Sequence, residues 1–109
     1  MRVKPKKHLG QHFLKDESIC LRIEQSITNH LDCFNILEVG PGTGALTKHI
    51  LNSKREGNFY VMEVDHESIA YLNSNYPDLS SDHIIEGDFL QFDTSTLFEN
   101  KPFCVVGNF

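Results

Sequence analysis

The sequence predicts an α/β protein with a doubly wound, mostly parallel sheet, and three observations carry that expectation. The first is Asn35-Ile36-Leu37-Glu38-Val39-Gly40-Pro41-Gly42-Thr43-Gly44, an apolar run that breaks into three glycines and then into a helical pattern. Such a strand, tight turn and helix N-terminus form the corner where these folds hold nucleotide-like ligands. The second is the alternation of short apolar runs with amphipathic ones, which gives parallel strands joined by helical crossovers. The third is Glu63, an acid at the end of the next apolar run and 19 residues past Gly44. That is near the spacing of a carboxylate that accepts hydrogen bonds from ribose hydroxyls.

Taken in order, the chain opens on an arm, residues 1–15, holding Arg2, Lys4, Lys6, Lys7 and Lys15 with no acid. Its back end, Gln11, His12, Phe13 and Leu14, reads as a polar and apolar latch behind phosphate-contacting cations. From Asp16, a candidate N-cap, the apolar residues Ile19, Ile23, Ile27 and Leu31 recur every four positions and predict an amphipathic helix. After the glycine turn, Leu46, Ile50 and Leu51 mark the buried face of a helix that stops by Gly57. Phe59 to Val64 is the second strand, and Asp65 caps a helix whose Ile69 and Leu72 face inward before Tyr76-Pro77 ends it. His83 to Glu86 and Phe103 to Val106 are the third and fourth strands. Residues 16–109 thus form one domain or part of one, with no repeats, linkers or low-complexity tracts.

The glycine spacing admits two cofactor classes. Gly40, Gly42 and Ala45 fit the loose dinucleotide pattern, while Gly40, Gly42 and Gly44 after Glu38 fit the pattern of proteins that bind S-adenosylmethionine. Pro41 has no N–H and so removes a donor from a loop that would otherwise offer amides to a pyrophosphate. A carboxylate beside the loop, Glu38, suits a positively charged sulfonium better than NAD.

Composition bounds the remaining choices. Fifteen acids against ten Lys and Arg give a formal charge of −5, which by itself argues against nucleic-acid binding. The distribution reverses that impression, because half of the cations lie in residues 1–15 and all of the acids lie beyond them. The asymmetry points to a basic arm that meets phosphate while the body handles another ligand. Cys20, Cys33 and Cys104 are far apart and form no C-x-x-C pair, so neither a disulfide framework nor a zinc site is expected. The histidines at 8, 12, 30, 49, 66 and 83 have no metal-ligand spacing, and no metal is assigned. No apolar run has the length of a membrane span or signal-peptide core, which makes the cytosol the default compartment.

Further chemical candidates sit at the carboxyl ends of the strands, as this architecture requires. Asp88 follows the third strand and has the chemistry to accept a hydrogen bond from an adenine amino group, with Phe89 against the ring face. Viewed alone, Asp88 serves equally as an ordinary turn residue after Gly87. Asn108 follows the fourth strand on the switch side of the sheet.

Five segments together carry a family resemblance: Lys7 to Leu14, Glu38 to Gly44, Val61 to Asp65, Glu86 to Phe89, and Val106 to Phe109. In this order they resemble the successive motifs of the ribosomal RNA adenine N6,N6-dimethyltransferases, and the Gly10-Gln11-His12-Phe13-Leu14 latch is the most specific of them. The resemblance implies a Rossmann-like methyltransferase fold with S-adenosylmethionine as cofactor. It also implies dimethylation of two adjacent adenosines near the 3′ end of small-subunit rRNA during ribosome assembly. By position, His12 and Leu14 would contact the methionine end of the cofactor, Gly40 would contact it through backbone, Glu63 the ribose and Asp88 the adenine. Gln11, Phe13, Glu38, Gly42, Gly44, Val64, Phe89 and Asn108 belong to the same motifs and to the same cofactor site. Asn108 is also the implied catalytic residue, the first of an Asn-Leu/Phe-Pro-Tyr signature that holds a flipped adenine. Its side chain and a following carbonyl would accept bonds from the amino group, whose lone pair is a poor nucleophile until it is held in line. His12 stands where many relatives have Asn, and the signature is cut after Asn108-Phe109.

A complete domain of this class has more strands, so the chain is expected to be an N-terminal portion, truncated after about the fourth strand and inactive alone. An exposed edge at strand 1 or strand 4 would favour self-association. The expected partner is small-subunit rRNA within a pre-ribosomal particle, with no membrane. Three alternatives share parts of the pattern: a large-subunit rRNA methylase conferring antibiotic resistance, an NAD-dependent oxidoreductase, and a non-catalytic RNA-binding relative of the transcription-factor type.

Overall fold

The structure, a computed structural model, describes residues 17–28, 34–53 and 56–107. Its elements are α1 (Glu17–Thr28), β1 (Ile36–Val39), α2 (Ala45–Asn52), β2 (Phe59–Glu63), α3 (His66–Asn75), β3 (Ile84–Glu86) and β4 (Cys104–Gly107). Short 3-10 turns lie at Ser81–His83 and Thr94–Thr96. The basic arm, the latch Gln11 to Leu14, the Asp16 cap, Leu31, the side chain of Ile27, and Asn108 with Phe109 lie outside the described residues.

The four strands form one parallel sheet in the order β3-β2-β1-β4. β1 pairs Ile36 with Phe59 on one side and with Cys104 on the other, so it lies in the interior, which explains its near-continuous apolar run. The expectation that β1 offers an open edge is therefore corrected: among the described residues the edges are β3 and β4. The order reverses between β1 and β4, and that switch point opens a crevice at the carboxyl ends of the strands.

Side chains alternate across the sheet with period two. Ile36 packs with Cys20 of α1 and with Leu46 and Ile50 of α2, and Val61 and Ile84 pack with Leu72 of α3 and Leu79. Leu37 and Met62 point the other way, where Phe98 of the β3–β4 connection covers them. Phe98 stacks on Phe103 at 4.7 Å and meets Tyr60 edge-on at 5.2 Å, a geometry aromatic pairs favour. Complete burial of residues such as Ile36 and Leu37 contributes about 1.5–3 kcal/mol each.

Local chemistry sets the element ends. Asp65 caps α3 by accepting from the Ser68 amide at 3.0 Å and the Ser68 hydroxyl at 2.8 Å, and α3 ends before Tyr76-Pro77 as the sequence predicts. His83 falls in the 3-10 turn rather than in β3; its ring stacks on Tyr60 at 4.2 Å, and Nδ1 lies 2.7 Å from the Phe59 carbonyl oxygen. In α1 the buried stripe runs through Cys20 and Glu24, with Ile23 half-buried beside them. The buried face is therefore centred one position beyond the Ile19-Ile23 row, and Ile19 is only half-buried. Cys104 is disulfide-bonded, against the expectation of no disulfide framework. Separation in sequence carries no information about which cysteines the crossovers bring together.

Candidate functional site

The carboxyl ends of three neighbouring strands enclose a cavity of ≈ 480 Å³. β1 supplies Val39 and Gly40, and β2 supplies Met62 and Glu63 with Val64 just beyond. After β3 come Gly87, Asp88, Phe89 and Leu90. Parallel register puts these ends level, with Val39 opposite Met62 and Glu63 opposite Glu86.

Glu63 is the centre of the polar wall. Its Oε1 accepts the Gly42 amide at 3.0 Å, and its Oε2 accepts the Val64 and Asp65 amides at 2.9 and 3.1 Å. Three backbone donors fix the carboxylate's orientation, and the free acceptor direction on Oε1 suits a ligand hydroxyl. Asp88 is exposed, and its Oδ1 accepts the Leu90 amide at 3.0 Å. The bond shapes the turn that carries Phe89 and Leu90 at the rim of the cavity. Phe89 packs back on the Leu37-Met62-Phe98 cluster. The apolar wall is set by Val64 and Leu90, 62% and 89% exposed, an exposure that isolated apolar side chains tolerate and that a flat ligand between them would relieve.

Glu38 is placed differently from the expectation. It is fully buried on the helix side of β1, where the Thr47 hydroxyl donates to Oε1 at 2.6 Å and Oε2 has no hydrogen-bond partner among the described residues. Burial pushes its carboxyl up to about 7, an effect opposed by the Thr47 hydrogen bond and reinforced by the nearby Glu63 charge. Glu38 therefore does not line the cavity and is not a fixed anion facing it; strand alternation turns it toward α2.

Gly42 acts on the site through its amide, and Gly44 is the N-cap of α2 with φ 89 and no side-chain cap. A Cβ at Gly44 would lie 2.6 Å from the Tyr76 hydroxyl. At Gly107, beside the switch point, a Cβ would meet the Val39 carbonyl oxygen at 2.4 Å, so only glycine lets β4 approach β1 there. Of the sequence-predicted residues, Gly40, Glu63, Val64, Asp88 and Phe89 meet at the cavity. Gln11, His12, Phe13, Leu14 and Asn108 lie outside the described residues. Sequence reasoning missed Leu90, which no periodicity marks, and Thr47, whose hydroxyl is assigned only by its contact with Glu38. Among the described residues there is no cluster of metal-ligating side chains, and no helix is long and apolar enough to cross a membrane.

Comparison with solved structures supports the fold. The chain superposes with a TM-score of 0.53 on coclaurine N-methyltransferase bound to N-methylheliamine and SAH, at 16% identity, covering 71% of this chain and 23% of that one. It also superposes with a TM-score of 0.50 on a putative S-adenosyl-L-methionine-dependent methyltransferase from Methanococcus maripaludis, at 16% identity, covering 81% of this chain and 46% of that one. Among curated proteins, it is 50% identical over 110 residues to ribosomal RNA small subunit methyltransferase A of Bacteroides thetaiotaomicron. It is 49% identical over 109 residues to the protein of the same name from Flavobacterium johnsoniae. Those alignments cover 98% and 99% of this chain but only 39% and 40% of the relatives, so the chain spans about two-fifths of their length. Residues 2–109 match the sequence model of the family described as ribosomal RNA adenine dimethylase, and with that match over nearly its whole length the chain belongs to the ribosomal RNA adenine dimethylase family.

Proposed function

We propose that the chain is the cofactor-binding, N-terminal part of a small-subunit rRNA adenine N6,N6-dimethyltransferase that uses S-adenosylmethionine. The observation that carries the reading is the Glu63 carboxylate, held by the Gly42, Val64 and Asp65 amides at the wall of the cavity. An oriented acceptor of this kind matches ribose hydroxyls, and the exposed Val64 and Leu90 match the faces of a purine. The donor set fits the cofactor, because the described residues lining the cavity present carboxylates and apolar surface and no Lys or Arg for a pyrophosphate. Bound there, S-adenosylmethionine supplies an electrophilic methyl group. Glu63 orients the ribose, Asp88 accepts from the adenine amine, and Gly40 lets the cofactor approach the backbone. By the family motif, His12 and Leu14 would contact its methionine end, with Gln11 and Phe13 part of the same motif. Asn108, beyond Gly107 at the switch point, holds the target N6 amine in line with the methyl group.

The arm, residues 1–15, is assigned to rRNA phosphate in a pre-ribosomal small subunit, and residues 16–109 to the cofactor domain. The cytoplasm is the compartment that such a substrate requires. The edge of β4, with Val105 37% exposed, is where a further strand or a second copy would add. Titration calorimetry of the protein at its natural length with S-adenosylmethionine, its demethylated product SAH and NAD tests the reading. Heat with the first two and none with NAD is expected, and binding of NAD alone would move the site to the oxidoreductase class.

A further inference from the structure

Tyr76 ties the glycine turn to the helix-side core. It is the C-cap of α3, where its amide donates to the Leu72 carbonyl at 3.1 Å and its carbonyl accepts the Leu79 amide at 3.0 Å. Its ring packs against the Val61-Leu72-Leu79-Ile84 cluster. With backbone and ring both fixed, its hydroxyl reaches back over 33 residues to the Thr43 carbonyl at 3.0 Å, with the Gly44 carbonyl at 3.2 Å. The same turn is closed by the Gly44 amide on the Pro41 carbonyl at 2.9 Å and held on its other side by the Gly42 amide on Glu63 at 3.0 Å. Gly42 and Gly44 both have positive φ, 57 and 89, and glycines leave such a turn with the most freedom to lose on ordering. No side chain caps α2 at Gly44; the Tyr76 hydroxyl instead donates to the Thr43 and Gly44 carbonyls and ties down the turn that leads into the helix.

We propose that Tyr76 is a positioning residue for the cofactor site: its hydroxyl clamps the Thr43–Gly44 turn from the core side and so keeps the Gly42 amide on the Glu63 carboxylate. Tyr76 is not among the described residues that line the cavity; it acts through Gly42 and Glu63. The inference rests on the reading of the cavity as the S-adenosylmethionine site.

The test is Tyr76→Phe, which keeps the ring and removes only the hydroxyl, in the protein at its natural length. Affinity for SAH, measured by calorimetry, is expected to fall about three- to tenfold, the range for one lost hydrogen bond. KM for S-adenosylmethionine rises by the same factor, while kcat at saturating cofactor stays within about twofold, because the loss is one of ground-state binding. Amide hydrogen exchange at Gly42 and Gly44 accelerates, while exchange in α3 and β2 is unchanged. Unchanged SAH affinity would overturn the proposal, and so would unchanged exchange at Gly42 and Gly44. So would weakened binding accompanied by faster exchange throughout the sheet, which marks general destabilisation. If the unmodified protein binds neither S-adenosylmethionine nor SAH, the cofactor reading falls and takes this inference with it. Binding equal in both proteins removes the inference alone.

Discussion

Glu38→Gln separates the electrostatic cost of a buried carboxyl from its packing. In the folded chain Glu38 is fully buried, and its carboxyl is raised from 4.5 to about 7, chiefly by burial. Between those two values the folded state holds a proton that the unfolded state has released, so folding stability falls as pH rises through this window. Below 4.5 the carboxyl is protonated in both states, and above about 7 it is ionised in both, so the loss is complete there. At about 1.4 kcal/mol per unit, the loss amounts to about 3 kcal/mol. Glutamine keeps the acceptor for the Thr47 hydroxyl but puts an amide N–H₂ where Oε2 has no hydrogen-bond partner among the described residues. The unmet donor costs about 1–3 kcal/mol at every pH. That offset is constant, so the diagnostic quantity is the difference between the two proteins as pH changes. Urea unfolding of both at pH 4.5, 5.5, 6.5 and 8 should show the variant gaining about 3 kcal/mol on the parent across the series. Parallel stability profiles would refute the reasoning, because they would mean that the carboxyl titrates alike in the folded and unfolded chains.

Three other outcomes follow from the site and the charge distribution. Glu63→Ala removes the proposed ribose acceptor and releases the Gly42, Val64 and Asp65 amides; cofactor binding should weaken by about 1.5–3 kcal/mol, and an unchanged dissociation constant would reduce Glu63 to a strand-end residue. Neutralising Lys4, Lys6 and Lys7 should flatten the salt dependence of rRNA affinity by up to about three units of slope, and an unmoved slope would assign the RNA surface elsewhere. If Asn108 holds the amine in line as proposed, and needs the rest of its signature to do so, the 109-residue chain alone should transfer no tritiated methyl to undermethylated small subunits; turnover by the chain alone would show that the signature is not needed.

Much of this architecture was legible in the residues because it depends on local patterns. The Ile36 to Gly44 corner, the Asp65 cap and the stop at Tyr76-Pro77 each follow from backbone chemistry within a few positions. Parallel strands with helical crossovers then bring strand ends to one rim, which is why Gly40, Glu63, Val64, Asp88 and Phe89 meet at the cavity. Legibility ended where contacts span the chain. Phe98, buried under the sheet against Leu37 and Met62, lies in a connection with no helical or strand period to expose its role. Glu38 looked like a cofactor-facing acid, because a motif records residue type and spacing but not which side of the strand the side chain leaves.

The sequence by itself determined the order and kind of the elements, the glycine corner and the acids at the strand ends, because these depend on intrinsic backbone preferences and on periodicity. The tertiary structure alone decided that β1 lies between β2 and β4, that Glu38 is sealed against Thr47, and that Tyr76 reaches the Thr43–Gly44 turn. Those outcomes depend on how elements far apart in the chain pack, and packing fixes burial, and with it charge state and hydrogen-bond partner, only once the whole sheet has assembled.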